Sequence, residues 1–376
     1  MRRSTEAERA RLNALFAELC AIPSPSGEEA AVGARVTQLL DAAGYAPTTD
    51  EHGNVLARYE AGEGAPDRRS VLLCAHLDTV PHGDTPIEPV LVDDGWENRN
   101  AAILGADNKA AVAVMLLAAE RARTDGAPVD IELLFTVREE VALAGAKAFG
   151  VAQLRSPFGY VYDHATPIGE IVMASPTYYR LEAEFRGRAA HAGIRPEDGR
   201  SAIVAAARAI AAMRHGRLDE ETTANVGWIG GGSAGATNVV PERCAILAET
   251  RSLDPAKAEA VVAEMVDHCH DAANEPLCEC DLDVTVERLF DGYRHKPSSP
   301  AVLAAQRALE ACGYVPRPIS SGGGADANAF EVAGLHTVCL ANGTERNHEP
   351  TERVSVSALE GMLDVTYALL DEVAAG

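Results

Sequence analysis

Residues 71–81 read Val-Leu-Leu-Cys-Ala-His-Leu-Asp-Thr-Val-Pro, and this stretch decides the predicted fold. Its first five residues are apolar and begin with a β-branched side chain, as is typical of a buried strand. His76 and Asp78 follow at the end of that strand, where side chains two residues apart share one face. Because polar groups beside a buried strand need partners, the two residues either bond to each other or bind a metal ion.

Acidic residues follow two other predicted strands. One strand covers 131–137 and runs into Glu139 and Glu140, and another covers 160–162 and ends at Asp163. Two adjacent carboxylates repel each other unless solvent, a proton or a cation lies between them. A solvated surface pair is therefore the ordinary alternative for Glu139 and Glu140 when they are considered alone.

Asp107 and His348 occupy loops in the same pattern of strands and helices. Asp107 precedes an apolar helix predicted at 110–122, where its carboxylate either caps the helix or holds a cation. His348 comes after a buried strand predicted at 337–340. Alternating strands and helices indicate an α/β domain, whose sites gather at the carboxyl ends of the strands. We therefore expect the polar residues described so far to meet at one edge of a central sheet.

The number of potential ligands among these residues exceeds what a single cation needs. They comprise two imidazoles and five carboxylates, namely His76, His348, Asp78, Asp107, Glu139, Glu140 and Asp163. Two metal ions about 3.5–4 Å apart, bridged by one carboxylate, would account for the number.

The chain is long enough to form two domains. Residues 177–287 change to half-exposed strands with two helices, which predicts a smaller α+β domain. Strand–helix order then resumes. We therefore expect residues 1–176 and 288–376 to form one discontinuous α/β catalytic domain, with 177–287 inserted into it.

Composition excludes several classes of partner. Acidic residues number 56 and basic residues 33, a net charge of −23, whereas nucleic acids and anionic membranes require basic patches. The sequence has no signal-peptide core and no run of about 18 apolar residues. Eight scattered cysteines, several within apolar segments, indicate reduced thiols. These features predict a cytoplasmic protein with no nucleic-acid or membrane partner.

Other candidate sites have weaker support. Residues 268–280 contain two histidines and three cysteines, which could suggest a zinc site. However, His268 and His270 are two residues apart on a predicted helix and do not face each other, and no Cys-x2-Cys spacing occurs. The glycine-rich stretches 230–233 and 321–324 lack the P-loop lysine and the GxGxxG context. No Gly-x-Ser-x-Gly elbow is present, so a serine hydrolase has no support.

Four motifs resemble those of the M20 metallopeptidases, and specifically of their peptidase T-like (tripeptide aminopeptidase) branch. They are AHLDTVP at 75–81, LGADNKA at 104–110, TVREEVALAGAK at 136–147 and RAAHAG at 188–193. The resemblance implies a zinc-peptidase-like catalytic domain with a central mixed sheet flanked by helices. It also implies that the inserted α+β domain serves as a lid and as the dimerisation surface of a homodimer.

The resemblance further implies a role for each residue of the site. His76, Asp107 and Asp163 would hold one Zn²⁺, and Asp107, Glu140 and His348 the other, with Co²⁺ or Mn²⁺ as possible substitutes. Asp78 would accept the free ring N–H of His76. Glu139 would act as the general base on a water that bridges the metals. His164 is an alternative ligand to Asp163, because the turn that follows Asp163 departs from the expected pattern.

Residues outside the metal ligands are implied as well. His191 would reach the partner subunit's site and stabilise the tetrahedral oxyanion. Arg251 resembles a residue that binds a substrate carboxylate. Asn238 and Gly323, the latter in the loop at 322–328, would complete the substrate pocket.

The implied activity is hydrolysis of short peptides with release of the N-terminal residue. An N-acyl amino acid deacylase or a carboxypeptidase would use the same metal site and is the alternative. A metal-binding homologue without turnover is disfavoured, because Glu139 and Asp78 would both be dispensable for holding metal alone.

Overall fold

The computed structural model describes residues 3–62 and 69–376. The chain divides into two compact units, the first comprising Met1–Ala174 and Arg294–Gly376 and the second Ser175–Tyr293. The second boundary lies beyond the predicted 287/288, because the last strand of the second unit continues to Phe290 and pairs there with Tyr178.

The first unit contains most of the helices and strands. Before the second unit they are α1 (Glu6–Cys20), α2 (Ala30–Ala42), β1 (Thr48–Thr49), β2 (Val55–Tyr59), β3 (Ser70–His76), β4 (Pro89–Val92), β5 (Gly95–Asn98), α3 (Ala106–Asp125), β6 (Asp130–Thr136), α4 (Ala144–Ala148), β7 (Phe158–His164) and β8 (Glu170–Ser175). The second unit adds β9 (Thr177–Arg186), α5 (Ala202–Ala212), β10 (Gly216–Arg217), β11 (Thr222–Gly231), β12 (Arg243–Ser252), α6 (Pro255–Asn274) and β13 (Asp281–Phe290). The chain continues with β14 (Tyr293–Arg294), α7 (Pro300–Cys312), β15 (Arg317–Ser320), α8 (Asp326–Val332), β16 (His336–Ala341), β17 (Thr344–Glu345), β18 (Arg353–Ser355) and α9 (Val356–Ala375).

The main sheet of the first unit is mixed and has the order β1-β2-β6-β3-β7-β16-β8-β14, with β15 paired to β8. Strands β6, β3, β7 and β16 are mutually parallel neighbours. Their carboxyl ends therefore lie along one edge of the sheet. Helices α1, α3, α7 and α9 pack into the same buried apolar cluster as the sheet. This arrangement confirms the predicted α/β fold with a central mixed sheet flanked by helices.

The second unit has its own core. Its sheet is antiparallel, with the order β10-β11-β12-β9-β13, and α5 and α6 pack against it. Alternate residues of β9 are buried, including Leu181, Ala183 and Phe185, as predicted from the sequence.

Two local features were not specified by the sequence. The segment 81–100 contains the mostly half-exposed hairpin β4–β5, which extends a small sheet with β18 and β17. The helix predicted at 110–122 begins earlier, at Ala106, so Asp107 lies in its first turn and Gly105 is the N-cap. The carboxylate of Asp107 does not cap this helix, because it points instead to the histidines described below.

We expect Gly145→Ala to lower the free energy of unfolding by about 1–3 kcal/mol, as overpacked core positions do. A Cβ there would overlap the carbonyl oxygen of Val137 and lie 2.8 Å from Oδ1 of Asn54. Urea denaturation followed by circular dichroism measures the change. Gly150→Ala is the matched control, because the nearest atom to its Cβ would be 3.7 Å away. Equal stability of the two variants would contradict the prediction.

Candidate metal centre

Five elements bring the predicted metal ligands to the carboxyl edge of the main sheet. Strand β3 ends at His76, and β7 carries Asp163 near its end. The turn after β6 supplies Glu139 and Glu140, the first turn of α3 supplies Asp107, and the loop before β18 supplies His348. Parallel strands of this kind place their final residues side by side, which is why the separate motifs converge.

Asp107 lies between the two histidines. Its Oδ1 is 3.3 Å from Nε2 of His76, and its Oδ2 is 3.5 Å from Nε2 of His348. Nε2 of His76 is also 3.5 Å from Oδ1 of Asp163, and Nε2 of His348 is 2.9 Å from Oε1 of Glu140. Donor atoms around one tetrahedral zinc ion lie roughly 3.3 Å apart, since the bonds are about 2.0–2.1 Å long. The five side chains therefore fit two cation positions that share Asp107.

Glu139 lies as close to this centre as the expected ligands do. The donor atoms of His76, Glu139 and Asp163 lie within 4.8 Å of one another, and so do those of His76, Asp107 and Glu140. Geometry alone therefore allows Glu139 to be a ligand or a base. His164 lies on β7 beside Asp163, but it belongs to none of the candidate metal groups in residues 3–62 and 69–376.

The carboxylates of the centre are strongly coupled to the histidines. Burial raises the pKa of Asp163 to about 8, and the charge of Asp107 adds to this rise, while His76 opposes it. Burial alone would raise the pKa of Asp107, but hydrogen bonds from His348 and His76 outweigh it and hold the pKa far below its usual range. Burial would lower the pKa of His76, yet Asp163 and Asp107 raise it well above its ordinary value. The centre thus retains protons that bound cations would replace.

Asp78 is fully buried and binds the backbone of the adjacent turn. Its Oδ1 accepts a hydrogen bond from the N–H of Glu139 at 2.9 Å, and its Oδ2 accepts one from the N–H of Glu140 at 3.1 Å. The hydroxyl of Ser26 donates to Oδ2 at 2.7 Å. Nδ1 of His76 lies 3.0 Å from the main-chain oxygen of Asp78 and 3.4 Å from its carboxylate. The carbonyl is therefore the closer acceptor for the imidazole, and the carboxylate mainly fixes the two glutamates.

Glu352 is a residue of the site that the sequence did not indicate. It is 2% exposed, and its carboxylate accepts hydrogen bonds from the N–H groups of Leu104, Gly105 and Asp107 at 2.8, 2.8 and 2.9 Å. Asn347 in the same segment donates to Oδ2 of Asp107 at 2.8 Å. Segment 347–352 thus binds both the backbone N–H and the carboxylate of Asp107. No motif marks Glu352, because its partners are backbone groups distant in sequence.

The loop that contains Gly323 is held beside the centre by a second buried carboxylate. Oδ2 of Asp326 accepts a short hydrogen bond from the hydroxyl of Thr136, at the end of β6, and Sγ of Cys74 lies 3.9 Å away. Burial raises the pKa of Asp326 to about 6. The N–H of Gly323 donates to Oγ of Ser321 at 3.0 Å, which forms the turn before α8.

The other predicted substrate-binding residues lie in the second unit. His191 is exposed, and its Nδ1 accepts the N–H of Gly193 at 3.2 Å, so its Nε2 carries the proton of the neutral ring. Asn238 is its neighbour, because the carbonyl of Asn238 accepts the N–H of Ala192. Arg251 on β12 pairs with Glu249 at 3.1 Å, and its guanidinium lies 4.2 Å from the centre of the Tyr178 ring.

We expect Glu352→Gln to weaken zinc binding at the metal centre by about 10–100-fold, as loss of a ligand-orienting contact typically does. The amide nitrogen of glutamine would face backbone N–H groups, which would displace the loop that carries Asp107. Isothermal titration of metal-free protein with Zn²⁺ measures the affinity, and circular dichroism checks the fold. Glu349→Gln, at an exposed position of the same segment, is the control. Equal affinity of the two variants would rule out this role for Glu352.

Comparison with known proteins identifies the family. The family model described as peptidase family M20/M25/M40 matches residues 72–372. An uncharacterized protein of Bacillus subtilis is 33% identical over 359 residues, which cover 95% of this chain and 93% of that protein. Among solved structures, aminopeptidase PepT from Bacillus cereus is 35% identical with a TM-score of 0.85, over 97% of this chain and 99% of that one.

A tripeptidase from Staphylococcus aureus is also similar in structure. It is 31% identical to this chain, with a TM-score of 0.90, and the match covers 98% of this chain and 99% of the tripeptidase. These matches span both units of the fold and the motifs that supply the metal centre. The chain belongs to peptidase family M20/M25/M40 and, within it, to the peptidase T-like branch.

Proposed function

We propose that this protein is a two-zinc aminopeptidase that releases the N-terminal residue of short peptides in the cytoplasm. The observation that carries the proposal is the position of Asp107, whose two oxygens face two separate sets of nitrogen and oxygen donors. The similar structures from Bacillus cereus and Staphylococcus aureus are described as an aminopeptidase and a tripeptidase, which supports the substrate class. In the described part of the chain no helix is long and apolar enough to cross a membrane.

The donor set fits two zinc ions better than calcium or magnesium. Imidazole nitrogens suit zinc, whereas calcium and magnesium bind almost exclusively to oxygen. We assign His76, Asp107 and Asp163 to one ion and Asp107, Glu140 and His348 to the other. When bound, the ions would lower the pKa of water and polarise the scissile carbonyl.

Glu139 is the residue we assign as general base. It is 9% exposed, and its backbone is fixed by Asp78. Burial raises its pKa well above the ordinary value, the charge of Asp163 adds to the rise, and the charge of His76 opposes it. A carboxylate whose pKa is raised toward neutral pH can take a proton from water and then donate it to the leaving amine.

The second unit would supply the remaining groups. We propose that His191 contributes an N–H donor to the oxyanion in the partner subunit's site of a homodimer, since its Nδ1 accepts the N–H of Gly193 and Nε2 is left as the donor nitrogen of the exposed ring. Arg251 would bind a substrate carboxylate in place of Glu249, and Asn238 and Gly323 would contact the peptide. The planar guanidinium is suited to a carboxylate because two parallel hydrogen bonds form.

We expect Glu139→Gln to lower kcat by about 10²–10⁴-fold, the usual contribution of a general base, while the metal content remains unchanged. Elemental analysis of purified protein and steady-state kinetics on a tripeptide measure the two quantities. Glu140→Gln is the matched contrast and should lose metal, because it removes a ligand carboxylate. A Glu139→Gln protein with full activity, or one that has lost its metal, would overturn the assignment of the base.

An N-acyl amino acid deacylase or a carboxypeptidase is the second candidate function, because the same metal centre would hydrolyse those amides. Arg251 specifically favours recognition of a substrate carboxylate, which all of these substrates carry. The choice therefore depends on whether the substrate needs a free amine and on which bond is cleaved.

We expect a tripeptide with a free amine to be hydrolysed at the first peptide bond, and its N-acetylated form to be hydrolysed at least tenfold more slowly. The reason is that an aminopeptidase recognises the charged amine. Mass spectrometry of the products identifies the bond that is cleaved, and a C-terminally amidated tripeptide controls for the role of the carboxylate. Faster hydrolysis of the N-acetylated peptide would favour the deacylase or carboxypeptidase.

A further inference from the structure

A second group of metal-binding side chains lies in the first unit. Potential ligand atoms of His295, Glu331 and His336 lie within 4.8 Å of one another. His295 follows β14, Glu331 is on α8, and His336 begins β16. Three different elements thus bring together the two imidazoles and one carboxylate that are a common set of zinc ligands.

This group is separate from the metal centre already described. His336 pairs with Phe158 at the start of β7, whereas Asp163 lies near the end of the same strand. Five residues of extended strand separate the two positions, which corresponds to roughly 16 Å. The two groups therefore lie toward opposite ends of the strands of the main sheet and share no residue.

The distances suit a single tetrahedral cation. Nδ1 of His336 is 2.9 Å from Oε1 of Glu331, and Nδ1 of His295 is 3.8 Å from the same oxygen. These values lie on either side of the roughly 3.3 Å expected between donor atoms around zinc. The centres of the two imidazole rings are 4.6 Å apart and the ring planes cross at 89°, so the rings meet edge to face and are not stacked. Small side-chain shifts would place all three donors around one ion.

Neighbouring groups already orient two of the side chains. Nε2 of His336 lies 3.2 Å from Oγ of Ser299, and Oε1 of Glu331 accepts the N–H of Thr337 at 2.7 Å. If Nε2 of His336 donates to Ser299, its Nδ1 presents a lone pair to the carboxylate, and a proton or a cation must lie between them. A hydrogen-bonded contact of this kind to the outer nitrogen of a histidine is typical of metal sites.

The burial of the group also suits an ion that enters from solvent. The side chain of His295 is 1% exposed, whereas those of Glu331 and His336 are 23% and 31% exposed. Burial favours the uncharged imidazole, which is the form that binds metal. The two outer residues leave an approach for the ion and for the water that would complete four ligands.

We propose that His295, Glu331 and His336 form a separate Zn²⁺ site, with water as the fourth ligand. The ion would join β14, α8 and β16. Strand β8 lies between β14 and β16 in the main sheet and pairs with both, and α8 packs against β16. The ion displaces the proton shared by His336 and Glu331, so zinc uptake releases that proton to solvent. The site is structural and takes no part in peptide hydrolysis.

Zinc stoichiometry of the full-length protein tests this proposal. Equilibrium dialysis against Zn²⁺ followed by elemental analysis should give three ions per chain for the unaltered protein and two for Glu331→Gln and for His336→Asn. His270→Asn, an exposed histidine on α6, is the matched control and should retain three. A stoichiometry that is the same in the unaltered protein and in both variants would overturn the proposal.

Two further measurements guard against indirect effects. Glu331→Gln preserves the shape of the side chain, so its unchanged circular dichroism together with one lost zinc would exclude misfolding as the cause. Glu140→Gln, which alters only the metal centre, should retain the ion held by His295 and His336. Failure of the aminopeptidase proposal would appear in the assays of activity and in Glu139→Gln, and it would leave unchanged the difference of one ion between the unaltered protein and the Glu331 and His336 variants.

Discussion

The metal centre depends on the buried carboxylate of Asp78. This side chain accepts the backbone N–H groups of two consecutive residues, Glu139 and Glu140, and so joins the end of β3 to the turn after β6. The hydrogen bond from the N–H of Leu77 to the carbonyl of Thr136 continues the strand pairing up to this point. Since backbone groups at a strand end otherwise lack partners, Asp78 satisfies them and fixes the backbone from which both glutamate side chains extend. One residue thereby sets the geometry of a ligand and of the proposed base.

Asp107 shows a second constraint of the same kind. The first turn of α3 has non-helical backbone angles at Asp107 and Asn108, so the helix does not by itself define where the carboxylate points. Glu352 and Asn347, which are distant in sequence, fix Asp107 by hydrogen bonds to its N–H group and to its carboxylate. Burial raises the pKa of Glu352 to about 7, despite the three backbone donors. Because burial disfavours the ionised form in the folded protein, the contribution of this carboxyl to stability is greatest when it is protonated and decreases as the pH rises from the usual range of a glutamate through 7.

Much of this architecture was predictable from sequence because parallel strands impose their own geometry. Once β3 and β7 were recognised as buried strands, the residues at their ends had to meet, and His76 and Asp163 do so. The α/β fold and most element positions followed from apolar periodicity in the same way. The residues that escaped prediction act through the backbone. Glu352 has no sequence signature because the groups it binds, the N–H groups of residues 104, 105 and 107, are present in every residue type except proline.

The hairpin at 81–100 was not predicted for a related reason. Strands β4 and β5 are short and mostly half-exposed, so they lack the apolar run that identifies a buried strand. The spacing of His76 and Asp78 indicated a shared face but could not distinguish the carboxylate of Asp78 from its carbonyl. Only the positions of Glu139 and Glu140 reveal that the carboxylate has other partners. The roles of His191, Arg251 and Asn238, which all lie in the second unit, remain predictions.

The discontinuity of the first unit has a consequence for biosynthesis. Strands β3, β6 and β7 leave the ribosome early, but β16, α9 and the segment 347–352 follow only after the whole second unit. Helix α9 is buried along most of its length and packs on α3 and α7, so the core around α3 is incomplete until that helix arrives. His348 and Glu352 arrive in the same late stretch. A nascent chain therefore cannot assemble the complete ligand set of Asp107, and the proposed peptidase is catalytically silent until residues 348–352 have been synthesised.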